Sequence, residues 1–118
     1  IGYLIRRNIE ALSEIGLKVD EIRSLGGGAR SEIWNQIKSD ITGKPLITLK
    51  CKEAASLGAA ILAGKAIGFY DEVKDATEEM VSVDKRYSPN PENSEIYDEY
   101  YKGYKKLFSD LSEMFDQY

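Results

Sequence analysis

Along residues 3–15, Leu4, Ile5, Ile9, Leu12 and Ile15 recur at three- and four-residue spacings, with Arg6, Arg7, Glu10 and Glu14 between them. That period predicts a helix with the apolar set inward and the charged set outward, ended by Gly16. Only Ile1 and Gly2 stand ahead of it, with no capping side chain, so the expected natural start of this helix lies upstream. Residues 21–25 alternate enough for a short strand running into Gly26, Gly27 and Gly28. From Arg30 or Ser31 onward, Ile33, Trp34, Ile37 and Ile41 return to helical spacing until Gly43 and Pro45 stop it. Residues 46–49, with Ile47 and Thr48, read as a second strand.

The next segment, residues 53–69, is dense in alanine and glycine, interleaved with Leu57, Ile61, Leu62 and Ile67. A helix of that composition admits another backbone or a flat ligand at close range, because few of its side chains reach beyond Cβ; tight packing on a sheet is the plainer reading. Residues 71–80 follow as a short acidic helix and residues 81–87 as an exposed strand. Pro89 and Pro91 mark a turn, and residues 92–118 form a closing helix. On that helix Ile96, Tyr97, Tyr100, Tyr101, Tyr104, Leu107, Phe108, Leu111, Met114, Phe115 and Tyr118 make an apolar stripe, for which packing is the expected use rather than a ligand platform. Short strands between helices give an α/β class, helix-rich and with few strands, in which a sheet edge or an apolar face is left uncovered.

Composition narrows the chemistry. With 42% hydrophobic residues in 118, the chain can bury a core; a formal net charge of -4 and an isoelectric point near 4.9 argue against nucleic acid or an anionic membrane surface as partner. There is no apolar run long enough to span a bilayer, and a cytoplasmic location is expected. The sequence contains no histidine, which removes imidazole-based triads and most transition-metal sites. Cys51 is the single cysteine, so no intrachain disulfide can form; between Lys50 and Lys52 it reads as a small buried or half-buried side chain.

The sharpest local signal is Gly26-Gly27-Gly28-Ala29-Arg30-Ser31, a glycine turn between strand and helix, whose backbone N–H groups can face a phosphate. A plain tight turn is the equal alternative from these residues alone. The dinucleotide fingerprint G-x-G-x-x-G fails because Ser31 stands where glycine is needed. The segment ending Gly64-Lys65 misses the phosphate-loop pattern twice, since Ala59 stands where glycine is needed and Ala66 replaces the Ser or Thr that would hold magnesium; Lys65 is expected in solvent. Asp40, Asp71, Glu72, Glu78 and Glu79 show no spacing that aims two carboxylates at one centre, and solvated surface charge is the reading for all of them.

Taken in order, the block from Leu25 through Trp34, the Ser39-Asp40-Ile41-Thr42-Gly43-Lys44-Pro45 block, the small-residue block from Glu53 to Gly64 and the Gly68-Phe69-Tyr70 ending resemble the C-terminal domain of the FGGY carbohydrate kinases. The version from Gly26 to Glu32 is most similar to the xylulokinase branch, with glycerol, ribulose, gluconate and other sugar kinases left open. The resemblance implies part of a ribonuclease-H-like, actin-like ATPase domain and a parent enzyme that moves the γ-phosphate of ATP, with Mg2+, to a sugar hydroxyl.

On that resemblance Gly27, Gly28 and Ala29 approach the nucleotide phosphate and ribose. Ser31 and Asn35 begin the helix that borders the adenine, and the small-residue helix packs beneath the pocket. The catalytic base, the sugar-binding residues and the N-terminal domain are expected upstream of Ile1, so no catalytic or metal-binding residue is assigned in this chain and the isolated chain is expected to be inactive. A homodimer is compatible with the pattern. The rival reading is a non-catalytic interaction module built around the tyrosine-bearing closing helix.

Overall fold

The computed structural model describes residues 1–51 and 53–115, the last three of these in backbone only. Helix α1 (Gly2–Glu14) stops at Gly16, whose φ of +82° suits a residue without Cβ. The Leu17 N–H donates to the Leu12 carbonyl and the Gly16 N–H to that of Ser13, both at 3.0 Å, which is the paired Schellman closure of a helix end. At the other end Gly2 lies against Ile41: a Cβ there would sit 2.6 Å from Ile41 Cδ1, so the absence of a side chain sets how closely α1 approaches its neighbour.

Strand β1 (Ile22–Ser24) leads through a 3-10 turn (Gly27–Ala29) into helix α2 (Glu32–Thr42) and strand β2 (Leu46–Leu49). The two strands pair in parallel, Ile22 opposite Leu46 and Ser24 opposite Thr48, as a strand–helix–strand crossover requires. Ser31 caps α2, its Oγ accepting from the Trp34 N–H, and Gly43 ends it at φ +63°. Strand β3 (Val83–Tyr87) adds antiparallel to the other side of β2, giving the order β1-β2-β3. With a neighbour on each side, β2 is buried along its whole length.

Helix α3 (Ala54–Ala66) packs on helix α4 (Val73–Met80), and helix α5 (Pro91–Phe115) crosses α2. Pro91, expected in the turn, opens α5: it occupies the first helical position, where the missing N–H is no loss, and Asn90 Oδ1 accepts from the Glu92 N–H at 2.9 Å. The expected extension of this helix to Tyr118, and the side chains of Met114 and Phe115, lie outside the described residues, as does Lys52.

Three outward expectations are corrected. Arg6 and Glu10 are half-buried because α5 covers them: the Arg6 guanidinium pairs with Asp98, and the Tyr101 hydroxyl donates to Glu10 Oε2 at 2.7 Å. Asp40 is fully enclosed. Its Oδ1 accepts from the Asn90 N–H at 2.8 Å and Gln36 Nε2 at 2.7 Å, and its Oδ2 from Asn93 Nδ2 at 2.9 Å, which fastens α2 to the start of α5. Of the apolar set on α1, Leu4, Leu12 and Ile15 are exposed, and on α2 Ile33 is exposed too.

The apolar core is small, centred on Leu46, Ile47, Leu49, Ile41 and Tyr101. The molecule exposes 8293 Å² where a compact monomer of 13.3 kDa exposes about 6,500 Å². Its radius of gyration, 18.1 Å, exceeds the roughly 13.5 Å of a compact domain of this length. Helix α3 is among the exposed parts. Only Ile61 is buried there, Leu62 and Ile67 face solvent, and a Cβ on Gly58 would meet nothing within 4 Å. Of the two glycines within this helix, only Gly64 is closely packed, a Cβ there lying 3.0 Å from the ring of Tyr70.

Candidate functional site

The glycine turn is held by two short backbone bonds: the Ala29 N–H donates to the Gly26 carbonyl at 3.1 Å and the Arg30 N–H to that of Gly27 at 3.2 Å. Gly26 sits at φ +74°, ψ -163°, a region only glycine adopts at low cost, so its presence is explained by the backbone. Gly27 and Gly28 are different. Neither has positive φ; a Cβ on Gly27 would meet nothing within 4 Å, and one on Gly28 would make ordinary contact with the Trp34 ring at 3.9 Å. Both are exposed, and their N–H groups donate to no acceptor among the described residues. Two adjacent glycines that the fold does not need, with free donors beside a helix N-terminus, can admit an anionic group against the backbone.

The five residues singled out in the sequence gather at this one turn, on two sides of it. Gly27, Gly28 and Ser31 are on the surface, while Ala29 and Asn35 are buried behind them. Asn35 Nδ2 donates to the Ala29 carbonyl at 2.8 Å and so clamps the turn from within; its Oδ1 has no hydrogen-bond partner among the described residues. Asn35 thus acts on the surface through the turn it holds. Charges ring the site in pairs: Arg30 with Glu53 at 2.7 Å, and Lys85 with Glu32 in the first turn of α2. Lys38, one turn beyond Asn35, is buried with its Nζ 2.6 Å from Ser24 Oγ at the end of β1, and burial pushes its ammonium below the ordinary lysine range.

The spacing of apolar residues on α2 concealed Lys38 and Asp40, because the buried face of this helix is largely polar: Asn35, Lys38, Ser39 and Asp40 with Ile41. Asn90, an amide ahead of a proline at a helix start, was the available hint of a cap nearby. The other carboxylates read as solvated, Asp71, Glu72, Glu78 and Glu79, are exposed. Lys65 is exposed in the last turn of α3, with Nζ near the Asp71 carbonyl, and Cys51 is half-buried. Among the described residues no group of three or more Cys, Asp or Glu could hold a metal ion. The turn lies on open surface; a concavity of about 540 Å³ lies between α1 and α5, bordered by Arg6, Glu95, Asp98 and Tyr101.

A parallel strand–turn–helix–strand unit with its glycine turn at a helix N-terminus, set in a small mixed sheet among helices, is a helix-rich part of an actin-like ATPase fold. Residues 1–67 match the model of the FGGY family of carbohydrate kinases, C-terminal domain, and the chain belongs to that family. A xylulose kinase of Staphylococcus epidermidis is 32% identical over 114 residues, 97% of this chain and 23% of that protein. An autoinducer-2 kinase of Photorhabdus laumondii is 34% identical over 110 residues, 92% of this chain and 21% of its own. The crystal structure of xylulose kinase from Rhodospirillum rubrum superposes with a TM-score of 0.77 at 28% identity, covering 98% of this chain and 23% of that one. The chain therefore spans less than a quarter of the length of these relatives.

Proposed function

We propose that this chain is the nucleotide-side, C-terminal part of an ATP-dependent carbohydrate kinase that phosphorylates xylulose. The observation that carries the nucleotide reading is the pair Gly27 and Gly28, exposed, with unpaired N–H groups and with room for side chains that the sequence leaves out. In this reading Gly27 and Gly28 meet the phosphates and ribose of ATP, Ser31 and the first turn of α2 lie along the nucleotide, and Ala29 and Asn35 hold the turn in place. Mg2+ travels with the ATP phosphates. In this reading its protein ligands belong to the remainder of the parent. Phosphoryl transfer rests on positioning and charge neutralisation supplied from both sides of a cleft, and in this reading the base and the sugar contacts belong to the remainder as well. A kinase of this kind works in the cytoplasm, and no described helix is long and apolar enough to cross a membrane.

Xylulose as acceptor is supported by the relatives in Staphylococcus epidermidis and Rhodospirillum rubrum. The autoinducer-2 kinase supports a second acceptor from the same class of chemistry, a phosphorylatable hydroxyl on a small polyol-like molecule. The deciding experiment offers the full-length enzyme D-xylulose, autoinducer-2, glycerol, ribulose and gluconate with ATP and Mg2+, and measures sugar-dependent ADP release. A preference for xylulose that Gly28→Asp abolishes through loss of ATP affinity, with the fold intact by circular dichroism, is the expected result. Unchanged ATP affinity in Gly28→Asp refutes the site, and a preference for another acceptor refutes the substrate.

A further inference from the structure

Lys38 is a buried cation without a counter-charge among the described residues. It is 6% exposed, its Nζ donates to Ser24 Oγ at 2.6 Å, and no carboxylate lies near enough to offset the burial. Asp40, two residues on, turns its carboxylate to Gln36, Asn90 and Asn93. The cations beside the glycine turn are neutralised, Arg30 by Glu53 and Lys85 by Glu32. Taking an ammonium out of water without an anionic partner is costly, and an apolar side chain of similar length would fill the same space without that cost. One hydroxyl contact is a small structural return for it.

The place of Lys38 in the fold says what its charge acts on. Ser24 ends β1, two residues before Gly26, and Asn35, one turn earlier on the same side of α2, donates to the Ala29 carbonyl. Lys38 therefore lies behind the glycine turn, on the side away from solvent. Trp34 spans the gap: Lys38 Nζ is 5.9 Å from its ring centre, and the ring's Cδ1 and Nε1 lie 3.9 Å from where a Cβ on Gly28 would be. The charge is thus on the order of 10 Å from the Gly28 backbone, with indole and peptide between them in place of water, so it is screened far less than a surface charge.

We propose that Lys38 is a positioning residue for the nucleotide phosphates: acting through the glycine turn and without touching the ligand, its ammonium holds the anionic end of the nucleotide against the Gly27 and Gly28 N–H groups. This rests on the reading of the turn as a nucleotide site. The phosphates supply the counter-charge that the described residues withhold from Lys38, so each favours the other. A through-space effect of this kind grows with the charge of the ligand and is absent for a neutral one. It acts on affinity, because the phosphates carry their charge before the reaction begins.

The test is made on the full-length kinase with two variants. Lys38→Met keeps close to the same length and removes the charge; Lys38→Gln also removes the charge but keeps a donor for Ser24 Oγ. Calorimetric titration with ADP, competitive inhibition by adenosine, and steady-state kinetics with varied ATP give the readouts. The expected result in both variants is ADP binding weakened about tenfold and an equal rise in the KM for ATP, with kcat unchanged, adenosine inhibition unchanged and the fold intact by circular dichroism. Equal weakening of adenosine and ADP overturns the proposal, because it marks a distorted turn and not a lost charge. Wild-type ADP affinity in Lys38→Gln overturns it too, assigning the effect to the Ser24 hydrogen bond. So does unchanged ADP affinity in both variants; a lowered thermal midpoint then gives Lys38 a partner elsewhere in the polypeptide. Gly28→Asp is measured alongside. Loss of ADP binding there with none in Lys38→Met sinks the role of Lys38 alone, whereas full ADP binding in Gly28→Asp sinks the nucleotide site and this role with it.

Discussion

Alanine at each of Gly26, Gly27 and Gly28 separates a glycine required by backbone geometry from glycines kept for a ligand. At Gly26, φ +74° and ψ -163° lie where a Cβ is strained, so Gly26→Ala destabilises by about 1–3 kcal/mol. For a domain of this size that lowers a urea midpoint by roughly 1 M. At Gly27 and Gly28 the backbone is on the ordinary side of φ, and the added methyl meets either nothing or the Trp34 ring at 3.9 Å. Alanine there leaves stability unchanged or raises it by up to about 1 kcal/mol by restricting the unfolded chain. The nucleotide reading reverses this order for affinity. A methyl on Gly28 stands between the free N–H groups and the phosphate, and a tenfold loss of ATP binding corresponds to about 1.4 kcal/mol. Urea denaturation of the chain followed by Trp34 fluorescence and titration calorimetry of the full-length kinase with ATP give the two readouts. Unaltered ATP affinity in both Gly27→Ala and Gly28→Ala refutes the reasoning on the ligand, and a stable Gly26→Ala refutes the reasoning on the backbone.

Asp40→Ala removes the shared acceptor of Gln36, Asn93 and the Asn90 N–H, three part-buried bonds, and is expected to lower stability by about 1–3 kcal/mol, measured by chemical denaturation, with Asp40→Asn less severe because it keeps one acceptor. The Tyr101 hydroxyl is pushed up to about 12 by burial and by its bond to Glu10, so the neutral phenol is favoured in the folded state. Its contribution is complete below about 10 and is lost as pH rises toward 12; Tyr101→Phe is expected to be less stable at neutral pH and to lack this alkaline component in a pH series of thermal midpoints. Incubated with ATP, Mg2+ and xylulose, the isolated chain is expected to release no sugar-dependent ADP; a measurable rate overturns the assignment of the catalytic base to the remainder of the parent.

The amino-acid sequence by itself determined the local elements. Gly16, Ser31 and Gly43 end or begin helices through their own backbone and side-chain chemistry, and the run Leu46-Ile47-Thr48-Leu49 carries the β-branched, apolar composition of a strand that its neighbours then pair, so these boundaries were legible within a residue or two. The glycine turn and its place between strand and helix were legible for the same reason, and with them the position of the candidate site. Tertiary structure alone decided which faces are buried. Arg6, Glu10 and Asp40 carry the polar signature of surface positions, and they are covered because α5, more than fifty residues beyond Asp40 in places, returns over α1 and α2 and supplies a partner for each charge. Conversely, the small-residue helix α3 has the composition of a packed element and is largely bare, because periodicity reports that a face is apolar and not whether anything in the same chain is shaped to cover it. The difference between Gly26 and its two neighbours was invisible for the same reason: identical in sequence, they are told apart only by a dihedral angle and by the space around each.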